Sequence, residues 1–286
     1  MLSSVGKFAS RKLHGNPIFI VGGSRSGTIV LLKAIGQHPM ILSTPSENPF
    51  MTDLGRMAYD LGHATELDKD YYGKTLRISR ERIYDTLRQL ALESSLGPDS
   101  GLKFLASNAI RHRANIFAKR HWCTKTFPGE KTAQGLQVLY PNTRFIWILR
   151  NGMNVVFSRA QFPEFRDLEF REHCQHWADS IQRFAYLSRL PEATVVHQED
   201  LADDPDLVFR RIFDLVGVPY HSASTEYALH THVHPLADLG TATGVNVKQV
   251  LKERNSPHES WNAEQRAQFK DVCGEAMALA GYDIPY

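Results

Sequence analysis

Cysteine and long apolar runs are both scarce in this chain of 286 residues. The three cysteines, Cys123, Cys174 and Cys273, are widely spaced and form no CxxC pair, which argues against a disulfide framework and favours a reducing compartment. No apolar run approaches the roughly 20 residues that a helix needs to cross a bilayer. The basic segment 1–16 lacks the continuous apolar stretch of a signal peptide, so we expect a flexible arm there and a soluble, cytoplasmic protein.

The chain also lacks an excess of either charge. Its 33 Lys and Arg residues nearly balance 31 Asp and Glu residues, for a formal net charge of +2. This balance is unlike the strongly basic composition of nucleic-acid-binding domains, so we expect no nucleic-acid partner. No heptad pattern or obvious apolar face indicates an oligomeric state.

A glycine-framed loop is the most informative segment that is present. The apolar run Ile18–Val21 predicts a strand, Gly22 to Thr28 a tight loop, and the apolar positions that follow a helix. A helix N-terminus offers unpaired N–H groups to an anion. The two glycines Gly22 and Gly27 have the spacing of the nucleotide P-loop GxxxxGK[ST], but its lysine is absent and Arg25 is the only cation in the loop. The loop therefore predicts a phosphate cradle and argues against hydrolysis of ATP or GTP.

A second candidate phosphate site follows a later strand. The run Phe145–Leu149 is rich in β-branched and aromatic residues, as expected of a buried parallel strand, and Arg150 comes directly after it. Ser158 follows Arg150 by eight residues, in a segment with a helical pattern. Ligands of open α/β sheets bind at the carboxyl ends of strands. Arg150 and Ser158 are therefore expected to meet on one phosphate.

The alternation of strands and helices predicts an α/β fold: a P-loop-like, three-layer domain over residues 17–286, with a central parallel sheet flanked by helices. Residues 48–95 are predicted as a helical insert or lid, and residues 240–260 as a loop that covers the nucleotide. The predicted strands are Ile18–Val21, Leu102–Ala106, His121–Lys125, Phe145–Leu149 and Thr194–Val196.

Taken in order, the motifs resemble those of the sulfotransferases that use 3′-phosphoadenosine-5′-phosphosulfate (PAPS). The run Arg25–Thr28 resembles the 5′-phosphosulfate loop, and Arg150 with Ser158 has the spacing of the 3′-phosphate pair. The segment Gln198–Pro205 is similar to the YEDL segment of the family, and Ser256–Asp283 to the end of its bacterial and Golgi-type members. The resemblance spans nearly the whole chain.

The resemblance implies a transferase that moves a sulfuryl group from PAPS to an acceptor hydroxyl and releases 3′-phosphoadenosine-5′-phosphate (PAP). No metal is expected, because the sulfuryl group carries less negative charge than a phosphoryl group. The implied nucleotide-binding residues are Gly23, Ser24, Arg25, Ser26, Gly27, Thr28, Arg150, Ser158 and, in the covering loop, Arg254.

Three residues have implied catalytic roles. Glu47, in what we expect to be a loop after the first helix, resembles a Glu that serves as general base in the tyrosylprotein branch, with one additional residue between it and the preceding His38-Pro39 dipeptide. Lys125 resembles the lysine of the KTP or KDP segment, although Phe127 is an additional residue before the proline. Arg25 is expected against the bridging oxygen and the 5′-phosphate. Phe50 and Tyr72 are expected to line the acceptor pocket.

The chain also departs from the family pattern. Ile29 replaces a second threonine of the loop, and Gln198 replaces the tyrosine that often stacks on adenine. Adenine recognition is then expected from Trp261 or from a backbone carbonyl. His173, in the helical pattern after the 3′-phosphate site, is expected on the helix surface.

The acceptor and two other functions stay open at this point. A carbohydrate or glycolipid acceptor is favoured, followed by a peptide tyrosine or a small metabolite. A P-loop kinase or NTPase is disfavoured by the missing lysine and by the Arg150–Ser158 pair. A non-catalytic nucleotide-binding protein would bind nucleotide without turnover.

Overall fold

A computed structural model describes residues 16–64, 71–75, 77–96, 119–230 and 257–286. The strands in these residues are β1 (Pro17–Val21), β2 (Ile41–Glu47), β3 (His121–Lys125), β4 (Arg144–Leu149) and β5 (Ala193–His197). The α-helices are α1 (Thr28–Ile35), α2 (Phe50–Gly62), α3 (Arg80–Leu96), α4 (Glu130–Leu139), α5 (Gly152–Ala160), α6 (Phe170–Phe184), α7 (Gln198–Asp203), α8 (Pro205–Val216), α9 (Ser222–His230) and α10 (Ala263–Leu279).

The strands form one sheet in the order β2-β3-β1-β4-β5. Strands β1 and β3 are parallel and pair Ile18 with Cys123, and β2 runs parallel to β3. The α/β prediction, a parallel sheet flanked by helices, is confirmed. The predicted strand Leu102–Ala106 lies outside the described residues.

The segment that carries Glu47 differs from the prediction. Glu47, expected in a loop after the first helix, instead ends the edge strand β2, whose pairing with β3 is interrupted between Ser43 and Glu47. Pro45 has no N–H to donate to a ladder and is tolerated in strands only at edges or bulges. The edge position and the interrupted pairing therefore explain how a segment that contains a proline can be part of a strand.

Contacts divide the chain into two compact units. The first comprises Met1–Ile20 and Ile35–Phe145. Its core contains fully buried aromatic rings: Phe19 lies 5.8 Å from Trp122 in an edge-to-face arrangement and 5.7 Å from Phe145. Edge-to-face pairs are a favoured arrangement of aromatic rings.

The second unit comprises Val21–Ala34 and Ile146–Tyr286. Helix α6 packs on α10, where the Cys273 thiol lies 3.5 Å from the Cys174 carbonyl oxygen. The three cysteines of the chain are free and buried. None of the helices described here combines the length and apolarity that a membrane span requires.

Candidate active site

The glycine loop between β1 and α1 packs tightly against β4 within the second unit. A β-carbon on Gly22 would lie 2.7 Å from the Ile148 carbonyl oxygen and 2.9 Å from the Thr28 methyl group, so a side chain is excluded there. Gly27 has a φ of +86°, a conformation that glycine adopts without strain. Ser26 and Thr28 are buried. These constraints explain the residue types of the predicted phosphate loop.

Arg25 links this loop to helix α5. Its Nε donates a hydrogen bond to Ser158 Oγ at 3.2 Å, and its guanidinium lies 4.6 Å from the centre of the Phe162 ring. Arg150 Nη1 donates to the Arg25 carbonyl oxygen at 2.8 Å. Arg25, Arg150 and Ser158, which the sequence assigned to two phosphate sites, thus lie in one hydrogen-bonded group.

The backbone around Arg150 is held by two side chains. Trp177 Nε1 donates to the Arg150 carbonyl oxygen at 3.3 Å, and the Asn151 N–H donates to Glu199 at 3.0 Å. The Tyr282 hydroxyl donates to the other Glu199 oxygen at 2.7 Å. Burial, and then the charge of Glu199, raise the pKa of Tyr282, so the phenol stays protonated and remains a donor. These bonds fix the turn that presents the Arg150 side chain.

Arg159 also contacts the glycine loop, although the sequence analysis did not single it out. It is 5% exposed, donates to Ser24 Oγ, and lies 4.2 Å from the centre of the Phe165 ring. The available signal was its place directly after Ser158 in a helix that follows a predicted phosphate-binding turn.

His173 lies near Arg159, and its prediction as a surface residue is wrong. The residue is only 2% exposed. It shares one face of α6 with the buried Trp177, four residues later, which accounts for its burial.

A second group of predicted site residues lies in the first unit. Lys125 Nζ and Glu47 Oε2 are 2.6 Å apart; the lysine side chain is 8% exposed and the glutamate side chain 47%. The irregular pairing of β2 with β3 sets Glu47 opposite Lys125. Phe127, the residue that interrupts the family pattern, lies with its ring centre 4.7 Å from Lys125 Nζ.

Asn48 fixes the backbone beside Glu47. Its N–H donates to the Lys125 carbonyl oxygen at 2.8 Å, and its side-chain Nδ2 donates to Ser94 and Ser95 of α3 at 3.0 Å each. The Glu47–Lys125 pair is therefore tied both to β3 and to the end of α3. A half-exposed carboxylate held beside an ammonium group can accept a proton from an incoming hydroxyl.

The remaining predicted residues have varied outcomes. Phe50 begins α2 and is 39% exposed. Tyr72 lies in a single π-helical turn, Tyr71–Thr75, and Arg254 lies outside the described residues. Trp261 is buried, with its ring centre 5.0 Å from that of Phe170 and 5.1 Å from that of Phe269, so the prediction that it stacks on adenine is not supported.

Several known proteins share this architecture. A sulfotransferase domain from the Synechococcus PCC 7002 olefin synthase is 18% identical and covers 96% of this chain and 97% of its own, with a TM-score of 0.55. A sulfotransferase domain from the curacin biosynthetic pathway is 16% identical, covers 95% and 99%, and has a TM-score of 0.50. Mouse sulfotransferase SULT7A1, complexed with PAP, is 13% identical, covers 94% and 89%, and also has a TM-score of 0.50. These similarities show the fold.

Sequence comparison gives the family. No curated protein sequence matches the chain. The sequence model of the Sulfotransferase family matches residues 17–222, which include the glycine loop, the Glu47–Lys125 pair, Arg150 and Ser158. Since this match covers well over half of the chain, the protein belongs to the sulfotransferase family.

Proposed function

We propose that this protein is a PAPS-dependent O-sulfotransferase that transfers the sulfuryl group to an acceptor hydroxyl. The observation that carries the proposal is the meeting of Arg25, Arg150 and Ser158 beside a glycine loop at the N-terminus of α1. Two guanidinium groups and a hydroxyl are a donor set suited to a nucleotide with two separate anionic groups. A 3′-phosphate and a 5′-phosphosulfate supply these two groups.

The residues of the loop act on the donor. Arg25 and the N–H groups at the start of α1 stabilise the negative charge that develops on the 5′-phosphate as the sulfur–oxygen bond to it breaks. Arg150 and Ser158 hold the 3′-phosphate and fix the position of the nucleotide. Positioning and electrostatic stabilisation account for most of the catalysis in the related transfer of phosphoryl groups.

The Glu47–Lys125 pair acts on the acceptor. Glu47 accepts the proton of the acceptor hydroxyl as its oxygen forms a bond to sulfur in line with the departing phosphate. Lys125 holds the carboxylate in place and adds positive charge at the reacting centre. We propose both roles from the family resemblance, and the 2.6 Å contact between the two side chains supports them.

The acceptor that we propose is a carbohydrate or glycolipid, with a peptide tyrosine or small metabolite as the alternative. A glutamate base after the first helix is a feature of the glycan and tyrosylprotein branches of the family. Phe50, whose side chain is exposed, is the first residue of the helix that follows Glu47. Phe50 and Tyr72 are the proposed acceptor-binding residues, and Arg254 is a proposed nucleotide contact.

Calorimetric titration without Mg²⁺ tests the nucleotide assignment. PAP, ATP and adenosine-5′-phosphosulfate are titrated into the wild-type protein, Arg150→Ala and the control Arg210→Ala, whose guanidinium lies 4.1 Å over the Tyr220 ring. We expect the wild-type protein and the control to prefer PAP, and Arg150→Ala to lose that preference. Tighter binding of ATP, or indifference to the 3′-phosphate, would overturn the proposal and favour a kinase or another nucleotide-binding protein.

A further inference from the structure

Arg159 is a buried cation whose positive charge is not balanced by its contacts among the described residues. It lies in the last turn of α5 and is 5% exposed, so its charge is largely removed from water. Within the part of the chain that the structure describes, its hydrogen-bond and ring partners are the Ser24 hydroxyl and the face of the Phe165 ring, and neither carries a charge. Hydrogen bonding and ring stacking orient the guanidinium without neutralising it.

The charges near Arg159 are of its own sign. Among the described residues, Arg159 forms no ion pair with a carboxylate, and its Nε is buried without a hydrogen-bond partner. Burial, and then the charge of Arg25, lower its pKa. A buried, unpaired cation is strongly unfavourable, and a second guanidinium nearby increases that cost. An anion between the loop and α5 would remove both penalties.

The position of Arg159 on α5 indicates which anion this is. Ser158 and Arg159 are successive residues of a helix and therefore point about 100° apart around its axis. Ser158 faces Arg25, whereas Arg159 contacts Ser24, near the start of the loop that the proposed function assigns to the 5′ end of the nucleotide. We infer that Arg159 is a third arginine of the donor site and binds the 5′-phosphosulfate of PAPS. This inference rests on the proposed function and adds a residue to it.

Two nucleotides that differ only at the 5′ position test the inference. PAP and adenosine 3′-monophosphate share the 3′-phosphate, and only PAP carries a 5′-phosphate. Calorimetry gives the dissociation constants of both for the wild-type protein, Arg159→Gln and the control Arg210→Gln. Because a charge-assisted hydrogen bond is lost, we expect Arg159→Gln to weaken PAP binding about 10- to 100-fold. Its affinity for adenosine 3′-monophosphate should stay within about threefold of that of the wild-type protein.

Thermal unfolding separates ligand binding from a structural role. Without nucleotide, Arg159→Gln should unfold at or above the wild-type temperature, because a buried charge has been removed. The increase in unfolding temperature that PAP causes in the wild-type protein should shrink in the variant. If the ligand-free variant unfolds earlier and both nucleotides bind more weakly by the same factor, Arg159 has a structural role and the inference is wrong.

The two proposals fail in different ways. If the wild-type protein binds PAP and Arg159→Gln binds it equally well, the role of Arg159 alone is overturned. If the wild-type protein binds neither nucleotide, the proposed function fails, and the assignment of Arg159 fails with it.

Discussion

Arg25 Nε and Ser158 Oγ are joined by a hydrogen bond of 3.2 Å between residues that are 133 positions apart in the chain. The bond connects the loop before α1 to the last turn of α5, so the two candidate phosphate-binding segments are in direct contact. The serine oxygen accepts this bond and keeps its own proton available for a further acceptor. A 3′-phosphate would be that acceptor.

Replacing Ser158 with alanine tests this arrangement. We expect Ser158→Ala to weaken PAP binding about tenfold, because one hydrogen bond to a charged phosphate is lost. Binding of adenosine-5′-phosphosulfate, which has no 3′-phosphate, should be unchanged. Calorimetry with the two nucleotides measures both effects, and equal weakening of both would place Ser158 outside the 3′-phosphate site.

Replacing Glu47 with glutamine tests the proposed base. The amide keeps the size of the side chain but cannot take up a proton, so turnover should fall about 100-fold or more while PAP affinity is retained. The rate of PAP release from PAPS, measured with a panel of carbohydrate acceptors, reports turnover. Glu93→Gln is a matched control, because Glu93 is an exposed carboxylate of the same unit that accepts a hydrogen bond from Gln89. Unchanged turnover in Glu47→Gln would exclude this residue as the base.

The Tyr282–Glu199 bond should contribute to stability. Tyr282→Phe removes the donor to a partly buried carboxylate and is expected to lower the free energy of unfolding by about 1 to 2 kcal/mol. Tyr286→Phe is the control, because the buried Tyr286 hydroxyl has no hydrogen-bond partner among the described residues and its removal should be nearly neutral. Denaturant titration compares the two variants. Similar losses in both would mean that the Glu199 contact contributes little.

The burial of His173 predicts a dependence of stability on pH. Burial, then the charge of Arg159, lower the pKa of His173 from its ordinary 6.5, so below that pH the unfolded chain takes up a proton that the folded protein excludes. The nearby His176 acts in the same direction, whereas Glu172 and a backbone hydrogen bond to Leu168 oppose it. Stability should therefore fall as the pH drops below 6.5 towards the folded-state pKa.

His173→Gln should make this part of the profile flatter. Denaturant titrations of the wild-type protein and the variant between about pH 5 and 8, the range in which histidine titrates, measure the difference. Parallel profiles would show that other groups cause the acid sensitivity.

Local sequence signals predicted β1 and the glycine loop, because an apolar run ends at Gly22. They predicted β4 and the position of Arg150 for a similar reason, because a second apolar run ends at Arg150-Asn151. The strand that carries Glu47 was missed because Ser43–Ser46 is polar and contains Pro45; its strand conformation comes from pairing with β3. The Glu47–Lys125 contact joins residues 78 positions apart, and its distance depends on the register of two strands. Sequence resemblance named both residues, but only the fold places them together.

Arg159 and His173 were missed for a different reason. Charged and polar residues in a helical pattern are most often exposed, and the burial of both depends on how α5, α6 and the Phe165 segment pack. The periodicity of α6 did contain a signal, since His173 precedes the apolar Trp177 by one helical turn.

The backbone of Arg25 has a consequence for attempts to stabilise this protein. Its φ is +68°, in the left-handed region, where a residue with a β-carbon costs about 1 kcal/mol or more relative to glycine. A search for strained positions would therefore select Arg25 for replacement by glycine, and that change would relieve torsional strain in the loop. It would also delete the cation that we propose contacts the donor. A substitution that relieves strain in this loop would thus weaken the nucleotide binding that we propose for it.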